Sequence, residues 1–262
     1  MTIAAPPPVL SAEQLVELFA LLPDVDSVEL KLTVPDTHTR STVQALGMDP
    51  LDAQIRQIIF FDTPDLRLSG NGVVLRARRV QRKPGDAIVK LRPVDPAALP
   101  EGLRKSPSFG VEVDASPEGF VCSGTMKTEV DDSKIRSALA GDLPVRKLFS
   151  KEQRELFASH APESITMDEL SILGPVTVLK LKFVPPGTER RFVAELWFYP
   201  DGSRVLELST KCQPADAFTT SAEARVLLGE HGVDLTAPQQ TKTRTALEFF
   251  SAELREQGEQ QA

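Results

Sequence analysis

Seven short stretches of the chain alternate strictly between aliphatic and charged residues: residues 28–32 (VELKL), 74–78 (VLRAR), 88–92 (IVKLR), 111–114 (VEVD), 178–182 (VLKLK), 193–197 (VAELW) and 205–211 (VLELSTK). Successive side chains of a strand point to opposite faces, so period-2 alternation predicts half-buried β-strands. One face of the resulting sheet is aliphatic. The other collects Glu29, Lys31, Arg76, Arg78, Lys90, Arg92, Glu112, Asp114, Lys180, Lys182, Glu195, Glu207 and Lys211. An antiparallel sheet with one solvated face reads the same way segment by segment. Here, however, ionic residues recur two positions apart, strand after strand, with few neutral polar residues among them. If the sheet closes into a barrel, these charges line its interior, where unpaired ions are costly unless a bound partner matches them.

The chain is 262 residues long with 41% hydrophobic content, enough for one substantial core, and a single β-rich domain is expected. Its net charge is −7 and its pI about 5.2, which argues against a nucleic-acid surface, so any anion site must be a local concentration of Lys and Arg. Cys122 and Cys212 have no zinc-type spacing, and reduced thiols in the cytoplasm are the simplest expectation. No apolar run of membrane-spanning length is present, and none of the three histidines has metal-ligand spacing. The GxxxxGK[ST] phosphate loop is absent, and no Ser or Cys has a histidine-partner motif.

Residues 1–9 are expected to be disordered. Ser11 and Gln14 form a capping box for a short helix ending before Pro23. Residues 57–63, 145–157 and 164–184 read as strands, with Leu173, Gly174 and Pro175 turning the last into a hairpin. Pro200, Asp201 and Gly202 make a second hairpin turn. Helices are expected over 132–141, 219–231 and 241–257, the last with Leu247, Phe250 and Leu254 on one face.

The VELK segment, the strand ending in Asp62-Thr63-Pro64-Asp65 with Leu68 after it, the Leu75-Arg76-Ala77-Arg78 strand, the Lys90 and Glu112 strands, Leu206-Glu207-Leu208, and the closing helices with Lys242 together resemble the CYTH domain. That family belongs to the triphosphate tunnel metalloenzymes, which include class IV adenylyl cyclases, thiamine triphosphatases and inorganic triphosphatases. Longer segments (SKEQRELF, ITMDELSILGP, ELWFYPDGSRVLELSTKC, QQTKTRTALEFF) also resemble an uncharacterised actinobacterial branch of CYTH proteins.

The resemblance implies an α+β, mainly β fold: a closed antiparallel β-barrel, the triphosphate tunnel, with peripheral helices. It assigns residues 1–25 to a tail and short helix, 26–255 to the tunnel domain and 256–262 to a disordered tail. It implies phosphate contacts from Arg76, Arg78, Lys90, Arg92, Arg154, Lys180, Lys182, Lys211 and Lys242, where guanidinium groups can clamp phosphate oxygens in pairs. Glu29, Glu112, Asp114, Glu195 and Glu207 are the implied ligands for Mg²⁺ or Mn²⁺, hard cations that bridge carboxylates to phosphates. Lys31 is the candidate general base, provided burial among cations lowers its pKa.

The family's opening ExExK motif has Ser27 in place of its first Glu, and the late ExE pair is Glu207 with Ser209. An alternative alignment counted from Asp168 puts Lys180 and Lys182 in that late position. The expected partner is a small-molecule triphosphate or polyphosphate, with no nucleic acid and no membrane. The expected reaction is metal-dependent phosphohydrolysis; polyphosphate binding without turnover and adenylyl cyclisation are the alternatives.

Overall fold

The computed structural model describes residues 11–239 and 241–261, with side chains through residue 256. In chain order the elements are α1 (Ala12–Leu21), β1 (Ser27–Val34), α2 (Thr39–Ala45), β2 (Gln54–Asp62), α3 (Arg67–Gly70), β3 (Val73–Val80) and β4 (Lys83–Leu91). There follow α4 (Glu101–Arg104), β5 (Phe109–Ser116), β6 (Gly119–Val130), α5 (Asp132–Leu139) and α6 (Lys151–Ala158). β7 (Ser171–Phe183), β8 (Phe192–Phe198), β9 (Arg204–Cys212), α7 (Ala217–Glu230) and α8 (Lys242–Gln261) complete the chain.

The nine strands close into one barrel in the order β1-β5-β6-β4-β3-β2-β7-β8-β9. The expected barrel is therefore present, with one correction: β1 and β5 pair in parallel, so the sheet is mixed. Register then fixes which side chains point inward. Glu29 faces Lys211 and Thr33 faces Glu207 across β1 and β9, Glu195 faces both Glu207 and Lys180, and Arg78 faces Asp86. All of these lie on the lumen side.

The aliphatic parity points outward and is covered by helices. Leu75, Ala77, Ala87, Val89, Val111 and Val113 pack beneath Leu18 of α1, Ile135 of α5, and Leu156 and Phe157 of α6. Leu32, Val34, Leu181, Ala194, Leu206 and Leu208 pack beneath Leu227 and Leu228 of α7. A third cluster lies inside. The lumen positions Ile58, Phe60, Val176, Val178, Trp197 and Val205 meet Ala246, Leu247 and Phe250 of α8, which covers that end of the barrel. The barrel thus has a greasy outside, buried by helices, and an inside that is charged except where α8 packs into it.

Local chemistry sets the ends of the elements. Ser11 accepts from the Gln14 amide at 3.2 Å while the Gln14 side chain accepts from the Ser11 amide at 2.9 Å, the reciprocal cap expected for α1. In the β8–β9 hairpin Gly202 takes φ +84°, and Asp201 accepts from the Ser203 amide at 2.9 Å. Gly72 (φ +75°) accepts from the Arg92 amide at 2.8 Å, and a Cβ there would lie 2.7 Å from the Arg92 carbonyl oxygen, so only glycine lets β3 begin so close to the end of β4.

Four expectations are corrected. Residues 145–157 are a 3₁₀ turn and α6, whose capping box (Ser150, Gln153) makes a helix of a segment read as strand. β7 runs unbroken, and Gly174-Pro175 marks a bulge against β2 between Ile58 and Phe60 where a hairpin was expected. β6 was not recognised in the sequence at all. Finally, α8 continues to Gln261, through residues expected to form a disordered tail. Residues 1–9 lie outside those described.

Candidate active site

Most of the charged residues in the lumen are held in three ionic groups. In the first, the buried Asp114 carboxylate receives Lys31 at 2.6 Å, Arg92 at 3.1 Å and Lys90 at 3.3 Å, and Lys31 also reaches Glu29 at 3.1 Å. Glu112 completes this group: it pairs with Lys211 and accepts from the Ser27 hydroxyl at 3.3 Å. Ligand oxygens of Glu29, Glu112 and Asp114 all lie within 4.8 Å of one another. Three hard carboxylate donors at that separation suit a divalent cation bound through oxygen.

The electrostatics of this group carry opposite signs. Burial works against the Asp114 carboxylate, but Lys31, Lys90 and Arg92 outweigh it and hold the group well below its ordinary range. Glu29 is also held low: burial opposes its charge, and Lys31 overcomes that effect. Glu112 is pushed up by burial and then by Glu29 and Asp114, so it is the carboxylate with the most to gain from an added cation. For Lys31 burial alone would favour the neutral amine, yet Asp114, Glu29 and Glu207 reverse this and raise it above its usual value. The shift needed for Lys31 to act as a base has the opposite sign.

The second group lies at the start of α8. Lys242 Nζ stands 2.6 Å from Glu195 and 2.7 Å from Glu207, while Lys180 reaches the other Glu195 oxygen at 2.8 Å. Lys242 also sits 5.1 Å from the Trp197 ring centroid, and the Tyr199 hydroxyl donates to its carbonyl at 3.1 Å. Glu195 and Glu207, expected with the metal ligands, are therefore neutralised by a built-in ammonium.

The third group is guanidinium-rich. Arg78 pairs with Asp86. Arg56, on β2, spends two donors on Gln54 Oε1 at 2.8 and 3.1 Å. Arg76 has no ion pair among the described residues, and its Nε is buried without a hydrogen-bond partner. Burial first, and then the neighbouring Arg78, push the Arg76 guanidinium down to about 10. An arginine held in this way is short of an anion.

Arg76, Arg78, Lys90, Arg92 and Lys180 face the lumen as the alternation requires, Lys182 and Lys211 share that face but are exposed, and Lys242 reaches the lumen carboxylates from α8. Arg154 does not: it is on α6, outside the barrel wall, with its guanidinium donating to the Phe149 carbonyl at 2.6 Å. Asp62 organises the turn that leads to α3, accepting from the Leu68 and Ser69 amides at 2.9 and 3.0 Å. Sequence reasoning missed Arg56 and Asp86, because β2 and β4 begin three and five residues earlier than the stretches read as strand.

No protein-family model matches the chain, and no curated protein matches it by sequence. Solved structures do. A candidate adenylate cyclase from Bacillus halodurans matches with a TM-score of 0.59 at 14% identity, covering 84% of this chain and 97% of the other. HpAC1 from Hippeastrum, a candidate adenylyl cyclase with a dominant triphosphatase activity, matches with a TM-score of 0.60 at 16% identity, covering 83% and 93%. At these identities the likeness is one of fold. Closed around inward-facing charge as the sequence motifs require, the chain has the CYTH-type, triphosphate tunnel fold.

Proposed function

We propose that the tunnel binds a triphosphate or short polyphosphate and, with Mg²⁺ or Mn²⁺ bound, hydrolyses it to orthophosphate and the shortened product. The observation that carries this reading is the Arg76 guanidinium, which has a buried Nε without a hydrogen-bond partner and no ion pair among the described residues, in the same lumen as the Glu29, Glu112 and Asp114 carboxylates.

A polyanion entering the tunnel supplies acceptors to Arg76, Arg56 and Arg78 and to the Lys90 and Arg92 ammonium and guanidinium groups. Charge-assisted bonds in a partly dry lumen position it along the strands. Glu29, Glu112 and Asp114 are the residues that fit a divalent cation, which when bound would neutralise phosphate charge and activate water. Lys31, ion-paired with Glu29 and Asp114, orients those carboxylates and presents a positive charge.

A second reading, binding without turnover, is favoured by one observation. Ser27 and Ser209 stand where the family pattern has carboxylates, and the Ser27 hydroxyl is spent on Glu112. The test is paired. Glu29→Gln should abolish phosphate release from tripolyphosphate while leaving calorimetric binding intact, and Arg76→Ala should weaken binding itself. An E29Q protein that releases phosphate at the unmutated rate would refute the assigned metal role.

A further inference from the structure

Arg76 and Asp86 hold a complementary pair of unused groups. Every donor that reaches Asp86 goes to Oδ2: Arg78 through Nε at 3.1 Å and through a shorter Nη2 contact, and Lys127 at 3.5 Å. Asp86 Oδ1 is buried and has no hydrogen-bond partner among the described residues, and the same is true of Arg76 Nε. Both residues face the lumen. Asp86 lies opposite Arg78 in the β3–β4 register, and Arg76 is the next inward-facing position along β3.

Unpaired buried polar atoms are rare and ask for a partner. A carboxylate oxygen accepts, whereas a guanidinium N–H donates. One ligand group satisfies both only if it carries an acceptor and a donor together. A fully deprotonated phosphoryl group offers acceptors alone and is repelled by Asp86. A phosphoryl group bearing one P–OH offers both. Resting on the tunnel reading above, we infer that Arg76 and Asp86 are a specificity element that selects the protonated form of the terminal phosphoryl group of the polyphosphate, with Arg76 donating to an oxygen and Asp86 accepting from the P–OH. Asp114, by contrast, has both carboxylate oxygens engaged, Oδ1 by Lys31 and Oδ2 by Lys90 and Arg92.

The charged groups facing Asp86 are Arg76 and Arg78 from β3, Lys127 and Glu129 from β6, and Arg56 from β2. Arginine and lysine keep their charge through neutral pH. The proton of a phosphate monoester, by contrast, leaves near pH 6.

The experiment measures tripolyphosphate affinity by calorimetry from about pH 6 to about pH 9 for the unmutated protein and Asp86→Asn, with orthophosphate and sulfate as competitors. These two anions match in shape, but sulfate carries no proton at these pH values. The affinity of the unmutated protein is expected to fall by about tenfold as pH rises, the scale of one charge-assisted hydrogen bond, and orthophosphate should displace the ligand better than sulfate. In D86N the amide can donate, so the decline should flatten or invert. Identical pH profiles for the two proteins, or sulfate competing as well as orthophosphate, would overturn the inference while leaving the tunnel reading standing. If D86N fails to fold, the sulfate comparison on the unmutated protein decides alone. Absence of tripolyphosphate binding at every pH would refute the tunnel reading itself.

Discussion

Lys242 Nζ stands 2.6 Å from Glu195 Oε2, so the first residue of the closing helix is ion-paired to an inward-facing carboxylate of β8. The same ammonium bridges to Glu207, while Leu247 and Phe250 further along α8 pack onto the inward apolar positions of the barrel. One cation thus joins the plug to the charged site. Replacing Lys242 with Met should leave Glu207 without its cation and Glu195 with Lys180 alone, and cost about 3 kcal/mol, the lower range for breaking a buried pair. Chemical denaturation would show it as a lower midpoint at neutral pH. Much of the loss should be recovered as pH falls toward the carboxylate range.

The buried carboxylates also set the acid response of the unmutated protein. Glu29, Asp114 and Glu195 are held below their ordinary values in the folded state. A depressed folded pKa contributes stability that is complete above the unfolded carboxylate range, about pH 4, and is lost as pH falls through the folded values. The melting temperature should therefore decline below about pH 4 and should fall less steeply in Asp114→Asn.

Glu112 has the opposite sign. Its raised pKa means that its ionised form opposes folding at neutral pH and that this opposition is relieved on protonation. Glu112→Gln should melt higher than the unmutated protein at pH 7 without metal. It should also respond less to Mn²⁺, because one of the three carboxylates is gone. A variant that is both stabilised and less metal-responsive would separate a ligand-binding carboxylate from one held in a structural ion pair.

Two arginines should behave differently. Arg76→Ala deletes an inward-facing donor and should weaken tripolyphosphate binding by roughly ten- to a hundredfold. Arg154→Ala, outside the barrel on α6, should leave the affinity unchanged. Calorimetric titration of the two variants side by side makes the comparison.

The barrel was legible in the sequence because parity carries most of its information: each alternating segment became a strand, and the charged parity became the lumen. β6 escaped notice because its inward positions Val121, Ser123 and Thr125 are uncharged, and ionic residues return on that face only at Lys127 and Glu129. Arg154 was misplaced because SKEQR was matched to a strand motif, although Ser150 and Gln153 form a helix cap; the buried Gln153 amide bonds the Ala87 and Met126 carbonyls. The sign of the Lys31 shift could not be read from one strand. It depends on Asp114, which comes from β5 through the single parallel pairing of the barrel.

Phosphate release by the unmutated protein, measured on tripolyphosphate with Mg²⁺, with Mn²⁺ and with neither, tests the hydrolase reading most directly. The account predicts release that depends on a divalent cation and is lost in E29Q. Tight tripolyphosphate binding with no phosphate released under any of the three conditions would contradict it and leave a polyphosphate-binding protein.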